Sequence, residues 1–380
     1  MKISIPKNAA EIINTLKINT HDAYVVGGCV RDSILGRIPG DWDITTSAKP
    51  KQIKKSFRRT VDTGIEHGTV TVLKGNEAYE VTTYRIDGDY SDKRHPDKVT
   101  FTEDLREDLR RRDFTINAMA YNDEAGLVDE FGGIEDLNNK LIRCVGDADE
   151  RFDEDALRIL RAIRFACQLN FEIEEKTFEA VKKHASELNA VSVERILTEL
   201  NKMLVSDYPI KMKFIWECGL QKYICKDFNL IKGNNVEELS KLPAVRHIRW
   251  AKLAERLTPK ELEDILLELK SDNDLIKKAT TLVGEAKNPM PETEEEIRRC
   301  LNRIGPELFD DLADLKGERH LLKDEIIKRG DAYNLKMLAV TGADLIKLGY
   351  ETGPAIGKAL NEMLEKVLKD PSKNTKEDLL

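Results

Sequence analysis

The sequence predicts an α+β fold, with a mixed N-terminal part followed by an all-α remainder. Short apolar strand patterns bounded by Gly, Pro or polar turns fall before about residue 145. From Asp153 onward the apolar residues recur at helical spacing, as they do at Ile196, Leu200 and Leu204. Prolines and glycines divide this helical part, so we expect several domains, with breaks at 207–209, 288–291, 305–306 and 353–354.

Individual elements follow from the same patterns. The predicted strands are 24–26, 41–45, 69–73 and 79–83. A helix is predicted after residue 156, because apolar residues recur at roughly helical spacing at Leu157, Leu160, Ile163 and Phe165. The last ten residues, PSKNTKEDLL, are polar and are expected to be frayed.

Composition limits the class of protein. With 380 residues, 41% of them apolar, the chain can bury a sizeable core. Its formal net charge of -8 argues against a nonspecific nucleic-acid coat, although a local basic face can still steer a polyanion. No segment approaches the length and apolarity of a membrane span. Neither a membrane nor a protein partner is therefore implied, and the formation of a homodimer stays open.

The cysteines predict a reducing compartment. They are scattered, with no CxxC pair and no histidines at ligand spacing, at positions 29, 144, 167, 218, 225 and 300. We expect buried, reduced thiols. The N-terminus also lacks the long apolar segment of a secretion signal. The predicted location is therefore the cytoplasm.

Segment 25–43, VVGGCVRDSILGRIPGDWD, contains the strongest chemical signal. Gly27 and Gly28 lack the Cβ that would keep a phosphate chain away from the backbone. Asp41 and Asp43 are two residues apart, and in a strand such residues project from the same face. Two neighbouring carboxylates are unfavourable without a cation, and their hard oxygens suit Mg²⁺ that holds substrate phosphates. The segment predicts a metal-dependent site for a nucleoside triphosphate.

Two further residues extend this site. Arg31 follows Gly28 in the first turn of the next helix, where its guanidinium and free backbone N–H groups can hold phosphate oxygens. Glu80, in EAYEVTTYR, is a candidate third carboxylate from a neighbouring strand. A charge on an edge strand, without any function, explains Glu80 equally well.

Three consecutive arginines, Arg110 to Arg112, lead directly into the apolar FTINAMAY. Such a run is typical of a solvated basic face or an RNA-facing patch. Because apolar residues follow, we expect at least one arginine to be drawn inward, where it could clamp a triphosphate or a ribose. Asp113 could then accept a hydrogen bond from a ribose hydroxyl.

A third pattern lies in segment 154–165, EDALRILRAIRF. Asp155, Arg158, Arg161 and Arg164 repeat every three residues and predict one slowly drifting helical stripe. An ion pair between Asp155 and Arg158 on a wet surface would explain the pattern without function. The functional interpretation is base selection. A fixed carboxylate beside a fixed guanidinium matches the amino donor and ring-nitrogen acceptor of cytosine and adenine, and uracil and guanine present the reverse.

In chain order, GGCVRD with DWD, RRDFTINA, EDALRILRAIRFA and VERILTELNKML resemble the successive motifs of class II tRNA nucleotidyltransferases. This family comprises the CCA-adding enzymes and the bacterial poly(A) polymerases. The resemblance covers about the first 205 residues, and GADLIKLGYETGPAIGKALNEMLEKVL resembles the tail of the CCA-adding branch.

The resemblance implies a nucleotidyltransferase palm as catalytic head at 1–145, a base-recognising neck at 146–206, a helical body at 207–300 and a tRNA-binding tail at 301–380. It implies that Asp41 and Asp43 are catalytic and bind Mg²⁺. Asp155 and Arg158 would read the incoming base. The residues implied to bind the nucleotide are Gly28, Arg31, Arg112, Asp155, Arg158, Arg161 and Arg164.

The activity implied is template-independent addition of CCA to the tRNA 3′ end from CTP and ATP, with release of pyrophosphate. Segment 86–101, with Asp89, Arg94 and His95, resembles the flexible loop with which CCA-adding enzymes change from C to A. An A-adding enzyme keeps this loop and stays open as an alternative. A poly(A) polymerase is a second alternative, for which a more basic, extended terminus is expected. A catalytically inert tRNA-binding module is the non-enzyme alternative, which the intact aspartate pair disfavours.

Overall fold

The computed structural model describes residues 2–88, 90, 96–318 and 321–380. The chain divides into two compact units, Met1–Glu237 and Glu238–Leu380. The described strands all lie in the first unit, and the described elements of the second are helical, which confirms the α+β class. The loop residues Asp89, Arg94 and His95 lie outside the described part of the chain.

Strands of the first unit form one large sheet and two small ones. Seven strands pair in the order β3-β4-β5-β2-β1-β8-β9, in which β2 and β5 are parallel and the other neighbours are antiparallel. β6 and β7 form an antiparallel pair, and β10 and β11 a parallel one. The strands are β1 (Ala23–Val26), β2 (Ile44–Thr46), β3 (Thr60–Gly64), β4 (Thr69–Lys74), β5 (Glu77–Thr83), β6 (Arg85–Asp87), β7 (Val99–Phe101), β8 (Met119–Asn122), β9 (Gly126–Asp129), β10 (Leu141–Ile142) and β11 (Glu172–Ile173).

Three predicted strands, at 24–26, 69–73 and 79–83, are confirmed by β1, β4 and β5. The strand predicted at 41–45 begins only at Ile44. Its partner β1 ends where Gly27 turns the chain with a φ of 82°. One further backbone bond, from the Val26 N–H to the Asp43 carbonyl, joins the two segments beyond the last register pair. The two aspartates therefore precede the strand.

Several helices of the first unit pack against the large sheet, and the later ones pack mainly against one another. The apolar faces predicted in α7 and α9 are buried, including Leu160, Ile163 and Leu200. All six cysteines are free and buried, as expected. The helices are α1 (Lys7–Ile18), α2 (Gly28–Ile34), α3 (Pro50–Ser56), α4 (Leu105–Arg110), α5 (Gly133–Asn139), α6 (Ala148–Glu154), α7 (Leu157–Leu169), α8 (Glu175–Lys183), α9 (Val193–Leu204), α10 (Phe214–Glu217) and α11 (Gln221–Ile224).

The second unit is built from helices. Gly305, at φ 80°, kinks α15 at the predicted 305–306 break, and α18 begins at the predicted 353–354 break. No helix among the described residues is both long enough and apolar enough to cross a membrane. The helices are α12 (Arg246–Leu253), α13 (Pro259–Glu268), α14 (Asn273–Glu285), α15 (Glu294–Lys316), α16 (Leu321–Arg329), α17 (Gly342–Lys347), α18 (Pro354–Lys369) and α19 (Lys376–Leu379).

The chain end is ordered, and the expectation of fraying is wrong. Leu379 in α19 is buried in an apolar cluster with Leu364 and Val367 of α18. The Asn374 side chain accepts from the Ala339 N–H at 2.8 Å through Oδ1. The Leu379 side chain and the Asn374 amide therefore attach this largely polar segment to the rest of the second unit.

Candidate active site

The two predicted metal ligands lie at the beginning of β2. Asp41 and Asp43 are both exposed in the segment that leads into this strand. The parallel register pairs Ile44 with Val81, so Asp43 lies beside Glu80 of β5, one step earlier on each strand. The charges of Asp41 and Glu80 both act on Asp43, so the three carboxylates lie close together at the beginning of β2.

This crowding changes the pKa of Asp43. Removal from water is the largest cause, the charge of Asp41 adds to it, the Arg112 guanidinium opposes it, and Glu80 raises the pKa further. Together they bring the pKa of Asp43 from an ordinary 3.8 to about 6. Asp43 nevertheless remains exposed as a residue, so a cation can approach it from solvent. The donor set fits a hard divalent ion, because a cation bound by both aspartates would relieve their repulsion.

Replacing Asp43 by asparagine should stabilise the metal-free protein more at about pH 7.5 than at about pH 5. The folded-state pKa of Asp43 lies above its unfolded value, so ionisation of this carboxyl destabilises the folded state. The destabilisation is absent below the unfolded pKa of 3.8, grows as the pH rises and is complete above about 6. We expect the Tm, measured by thermal unfolding with a chelator present, to rise by a few degrees at the higher pH.

Asp207→Asn is the matched control, because it removes one exposed carboxylate that does not belong to this cluster. If Asp43→Asn raised the Tm equally at both pH values, or no more than Asp207→Asn does, the repulsion inferred at Asp43 would be refuted.

Gly27 makes room for an arginine side chain. Gly27 has a φ of 82°, which favours glycine, and its N–H donates to the Met119 carbonyl at 3.1 Å. A Cβ at Gly27 would lie 3.1 Å from Arg112 Nη1, and a Cβ at Gly28 would lie 3.7 Å from Arg31 Nη2. The bare backbone at Gly27 therefore leaves room for the Arg112 guanidinium, a strong phosphate-binding group, whereas the distance at Gly28 is that of an ordinary contact.

Arg31 is held in a fixed position in α2. It is buried, and its Nη1 donates to Asn117 Oδ1 at 2.6 Å. Its Nε and Nη2 donate to the two carboxylate oxygens of Asp32 at 2.9 and 3.0 Å. The guanidinium also lies 5.0 Å from the ring centroid of Phe165. An arginine fixed in this way loses little further freedom when it binds a phosphate. Asn117 had no role in the sequence prediction.

Two of the three consecutive arginines are drawn inward by Asp108, as expected. Asp108 is fully buried, and its Oδ1 accepts from Nε and Nη2 of Arg111 at 3.0 and 2.8 Å. Its Oδ2 accepts from Thr45 Oγ1 at 3.0 Å and lies 3.5 Å from Arg112 Nη2. Burial alone would raise the pKa of Asp108, but Arg111 and Arg112 hold it below its ordinary value. Arg110 remains exposed.

Asp113 positions Arg161. Its Oδ2 accepts from Nε and Nη2 of Arg161 at 2.8 and 2.5 Å. Its Oδ1 accepts from the Phe114 N–H at 2.8 Å and from Asn117 Nδ2 at 3.1 Å. Burial alone would raise the pKa of Asp113, but Arg161 and Asn117 hold it well below its ordinary value. Each carboxylate oxygen offers about two acceptor sites, so none remains for the ribose hydroxyl considered above.

Asp155 and Arg158 lie at the junction of α6 and α7, where each has its own partner. Asp155 Oδ1 accepts from the Leu157 N–H at 3.1 Å, and Oδ2 accepts from Arg195 Nη2 of α9 at 2.8 Å. Arg158 donates through Nη1 to Glu154 Oε2 at 2.5 Å. The two side chains are therefore fixed separately, and the surface ion pair between them is not observed.

Both side chains keep hydrogen-bonding capacity. Arg158 Nη1 also donates to the Arg151 carbonyl at 3.1 Å, and Nη2 donates once, to the Arg111 carbonyl at 2.9 Å. Of the five guanidinium N–H groups, Nε–H and one Nη2–H have no partner among the described residues. The Asp155 carboxylate has about four acceptor sites and uses two of them. A fixed pair of donors and a fixed acceptor are thus available to a ligand.

Arg164 is committed to packing between helices. Its Nε lies 2.6 Å from Glu199 Oε2 of α9, and its Nη1 donates to Gln168 Oε1 at 2.9 Å. Its guanidinium lies 3.9 Å from the ring centroid of Phe165. The predicted stripe therefore spreads into separate ion pairs, since each arginine of α7 binds a different carboxylate.

A cavity of about 260 Å³ brings most of these groups together. This volume lies below the roughly 300–1,000 Å³ of pockets for drug-sized ligands, so it suits one base rather than a complete nucleotide. Arginines outnumber aspartates in its lining, so the potential at its mouth is positive. The lining residues are Arg111, Arg112, Asp113, Asp155, Leu157, Arg158, Arg161 and Arg195.

Four of the predicted nucleotide-binding residues line this cavity, namely Arg112, Asp155, Arg158 and Arg161; Gly28, Arg31 and Arg164 do not. Arg111, Leu157 and Arg195 had no role in the sequence prediction. The signal for Arg195 was its place in the first turn of a strongly amphipathic helix, VERILTELNKML. A larger cavity of about 850 Å³ beside α6 and α8 contains none of the predicted site residues.

A second group with metal-ligand geometry, distinct from the aspartate pair, lies near the end of α8. Ligand atoms of Asp153, His184 and Glu187 all lie within 4.8 Å of one another. His184 is buried, and its ring nitrogens lie 2.8 Å from Glu187 Oε1 and from Asp149 Oδ1. These contacts attach α6 to the chain that follows α8, and they account for the cluster as a structural one.

Comparisons with known proteins identify the family. A family model described as the poly A polymerase head domain matches residues 23–143, and one described as tRNA nucleotidyltransferase domain 2 matches residues 246–380. The CCA-adding enzyme of Pediococcus pentosaceus is 38% identical over 385 residues, which cover 97% of this chain and 95% of that protein. This chain belongs to the CCA-adding enzyme family. The resemblance seen in the sequence motifs is thereby confirmed.

Other members of the family are similar to this chain over nearly their whole length. The CCA-adding enzyme of Lactococcus lactis subsp. cremoris is 40% identical, with 94% of this chain and 91% of that protein covered. The structure of the Bacillus stearothermophilus CCA-adding enzyme in complex with CTP superposes with a TM-score of 0.82 at 33% identity, covering 98% of this chain and 94% of that one. The Thermotoga maritima CCA-adding enzyme complexed with tRNA has a TM-score of 0.66 at 23% identity, which shows the shared fold.

Proposed function

We propose that this member of the CCA-adding enzyme family adds CCA to the 3′ end of tRNA from CTP and ATP. The main support for the proposal is that Asp155 and Arg158 line the same cavity. The carboxylate has acceptor sites left for an exocyclic amino group, and the guanidinium has donors left for a ring nitrogen. Cytosine and adenine share this pattern, so protein side chains could select both without a template.

The chemistry is assigned to Asp41 and Asp43, which would hold Mg²⁺. Bound divalent ions at such a site lower the pKa of an attacking hydroxyl and neutralise the charge of a leaving pyrophosphate. The support is the cluster of three carboxylates and the raised pKa of Asp43. Glu80 lies in the position of a further ligand, or of a carboxylate that tunes the other two.

Arginines beside the aspartates are assigned to the triphosphate. Arg112 is close enough to Asp43 to affect its pKa and also lines the cavity, so it connects the metal ligands with the base-binding groups. Gly28 and Arg31 lie at the start of α2, directly after Gly27, which Arg112 approaches. Arg161 and Arg164 assist by fixing the surroundings of Arg158, through Asp113 and Glu199 respectively.

The partner of the reaction is tRNA, for which the helical tail at 301–380 is proposed as the binding segment. The division into head, neck, body and tail remains a prediction of the resemblance. Because tRNA and nucleoside triphosphates are its proposed substrates, we also keep the cytoplasm as the proposed location.

The test is the product made from a tRNA that ends before its CCA, with each nucleotide supplied separately and then both. We expect CTP alone to add two residues, ATP alone to add none, and the mixture to complete CCA. Addition of ATP only, onto tRNA that already ends in CC, would assign the chain to the A-adding enzymes. Long A tracts on unrelated RNA would assign it to the poly(A) polymerases, and absence of any incorporation would leave only an inert tRNA-binding module.

A further inference from the structure

An exposed basic segment lies on the head, outside the site described above. Residues 49–62 contain six Lys or Arg and a single carboxylate, Asp62, in a chain whose formal net charge is -8. α3 buries only Pro50 and Ile53 of this stretch. The six cations are all exposed, and we call them the basic segment: Lys49, Lys51, Lys54, Lys55, Arg58 and Arg59.

Most of these charges are not neutralised. Lys54 binds Asp62 at 2.8 Å, but no ion pair within the described part of the chain involves Lys51, Lys55, Arg58 or Arg59. The arginines of the candidate active site differ in this respect, since Arg161 and Arg164 are each bound to a carboxylate. Concentrated, unpaired and accessible cations in an acidic protein indicate a surface for a polyanion.

The sheet register places this segment level with the metal ligands. Val61 of β3 pairs with Thr71 of β4, which pairs with Glu80 of β5, and the row ends at Asp43. The pairing of this edge with β4 extends one residue before the start of β3, because the Leu73 N–H donates to the Arg59 carbonyl at 3.0 Å. Three neighbouring-strand spacings separate the two ends of the row, about 14 Å.

The same alternation puts Arg59 on the face that carries Glu80. Arg59 precedes Val61 by two residues and is itself paired with β4, and residues two apart in a paired strand share a face. A strand of RNA whose 3′ end reached Asp41 and Asp43 could therefore place the phosphates of its preceding nucleotides along β3 and the end of α3.

We propose that the basic segment binds the phosphodiester backbone of the acceptor end of the RNA substrate, next to its reacting 3′ terminus. The proposal rests on the function proposed above and adds a contact of the head to the RNA. Its cations act through charge, so the contact would be independent of sequence and weakened by salt.

The experiment compares two fourfold variants of the full chain. The first is Lys51→Gln, Lys55→Gln, Arg58→Gln and Arg59→Gln. The control makes the same change of net charge at exposed Lys and Arg residues elsewhere in the first unit, with Lys2→Gln, Lys7→Gln, Arg106→Gln and Lys140→Gln. Binding of an acceptor-stem minihelix that ends in CC is titrated without nucleotide at several salt concentrations, and the Tm of each variant is recorded.

We expect the first variant to bind the minihelix at least about tenfold more weakly at 0.15 M salt, and the control to stay within about twofold of wild type. The slope of log Kd against log salt should fall by up to about 3 in the first variant, since each single-strand phosphate contact contributes about 0.7. The KM for CTP and the Tm should stay unchanged.

Equal losses in the two variants, or none in either, would overturn the proposal. A change in the KM for CTP without a change in minihelix binding would overturn it as well, in favour of a nucleotide contact. Since binding is measured without catalysis, a wild-type protein that binds the minihelix but adds no nucleotide would refute the proposed function and leave this contact standing.

Discussion

Exchanging Asp41 or Asp43 for alanine is expected to abolish nucleotide addition while tRNA binding stays nearly intact. Each substitution removes one of two carboxylates that would share a divalent ion. Without that ion, neither the attacking hydroxyl nor the leaving pyrophosphate is stabilised, so we expect kcat to fall by at least about a thousandfold. Incorporation of labelled CTP and ATP into tRNA lacking its CCA measures the loss, and filter binding measures the affinity for tRNA.

Glu80→Gln separates the metal ligands from their neighbour. Glu80 lies near Asp43 and contributes to its raised pKa. If Glu80 only tunes the pKa of Asp43, the variant keeps most of its activity and reaches its maximal activity at a lower pH. If Glu80 binds the ion, the variant loses activity as the aspartate variants do. Turnover at the wild-type rate in Asp41→Ala or Asp43→Ala would exclude the metal role.

The fold class could be predicted because its signals are local. Strand patterns and helical spacing depend on neighbouring residues, and they placed β1, β4, β5 and the core faces of α7 and α9 correctly. The order of the sheet depends on pairing between distant segments, such as the parallel contact of β2 with β5. The place of Glu80 beside Asp43 follows from that register, and no local pattern contains it.

In the candidate site, the sequence indicated the types of residue but not their partners. Asp155 binds Arg195, 40 residues away, and Arg161 binds Asp113, 48 residues away. These ion pairs decide which donors and acceptors are left for a ligand. The spacing of three residues predicted a common stripe, but the segments packed around α7 supply a separate carboxylate to each arginine, which spacing alone does not reveal.

Replacing Arg158 by alanine, or Asp155 by asparagine, should relax the rejection of UTP and GTP. In the wild type, a base with the wrong pattern would leave the Asp155 carboxylate or the Arg158 donors buried and unpaired, at about 1–3 kcal/mol for each group. This corresponds to about 5- to 150-fold in selectivity. The measurement is the ratio of kcat/KM for CTP over UTP and for ATP over GTP, in wild type and both variants.

Two further variants distinguish base reading from a general loss of structure. Arg37→Ala removes an exposed arginine outside the cavity and should leave both ratios unchanged. Arg195→Gln weakens the anchor of Asp155 without removing its carboxylate, so the loss of selectivity should lie between wild type and Asp155→Asn. If Asp155→Asn and Arg158→Ala instead lowered kcat/KM equally for all four triphosphates, the pair would only support the cavity wall, and selection between bases would have to come from other groups.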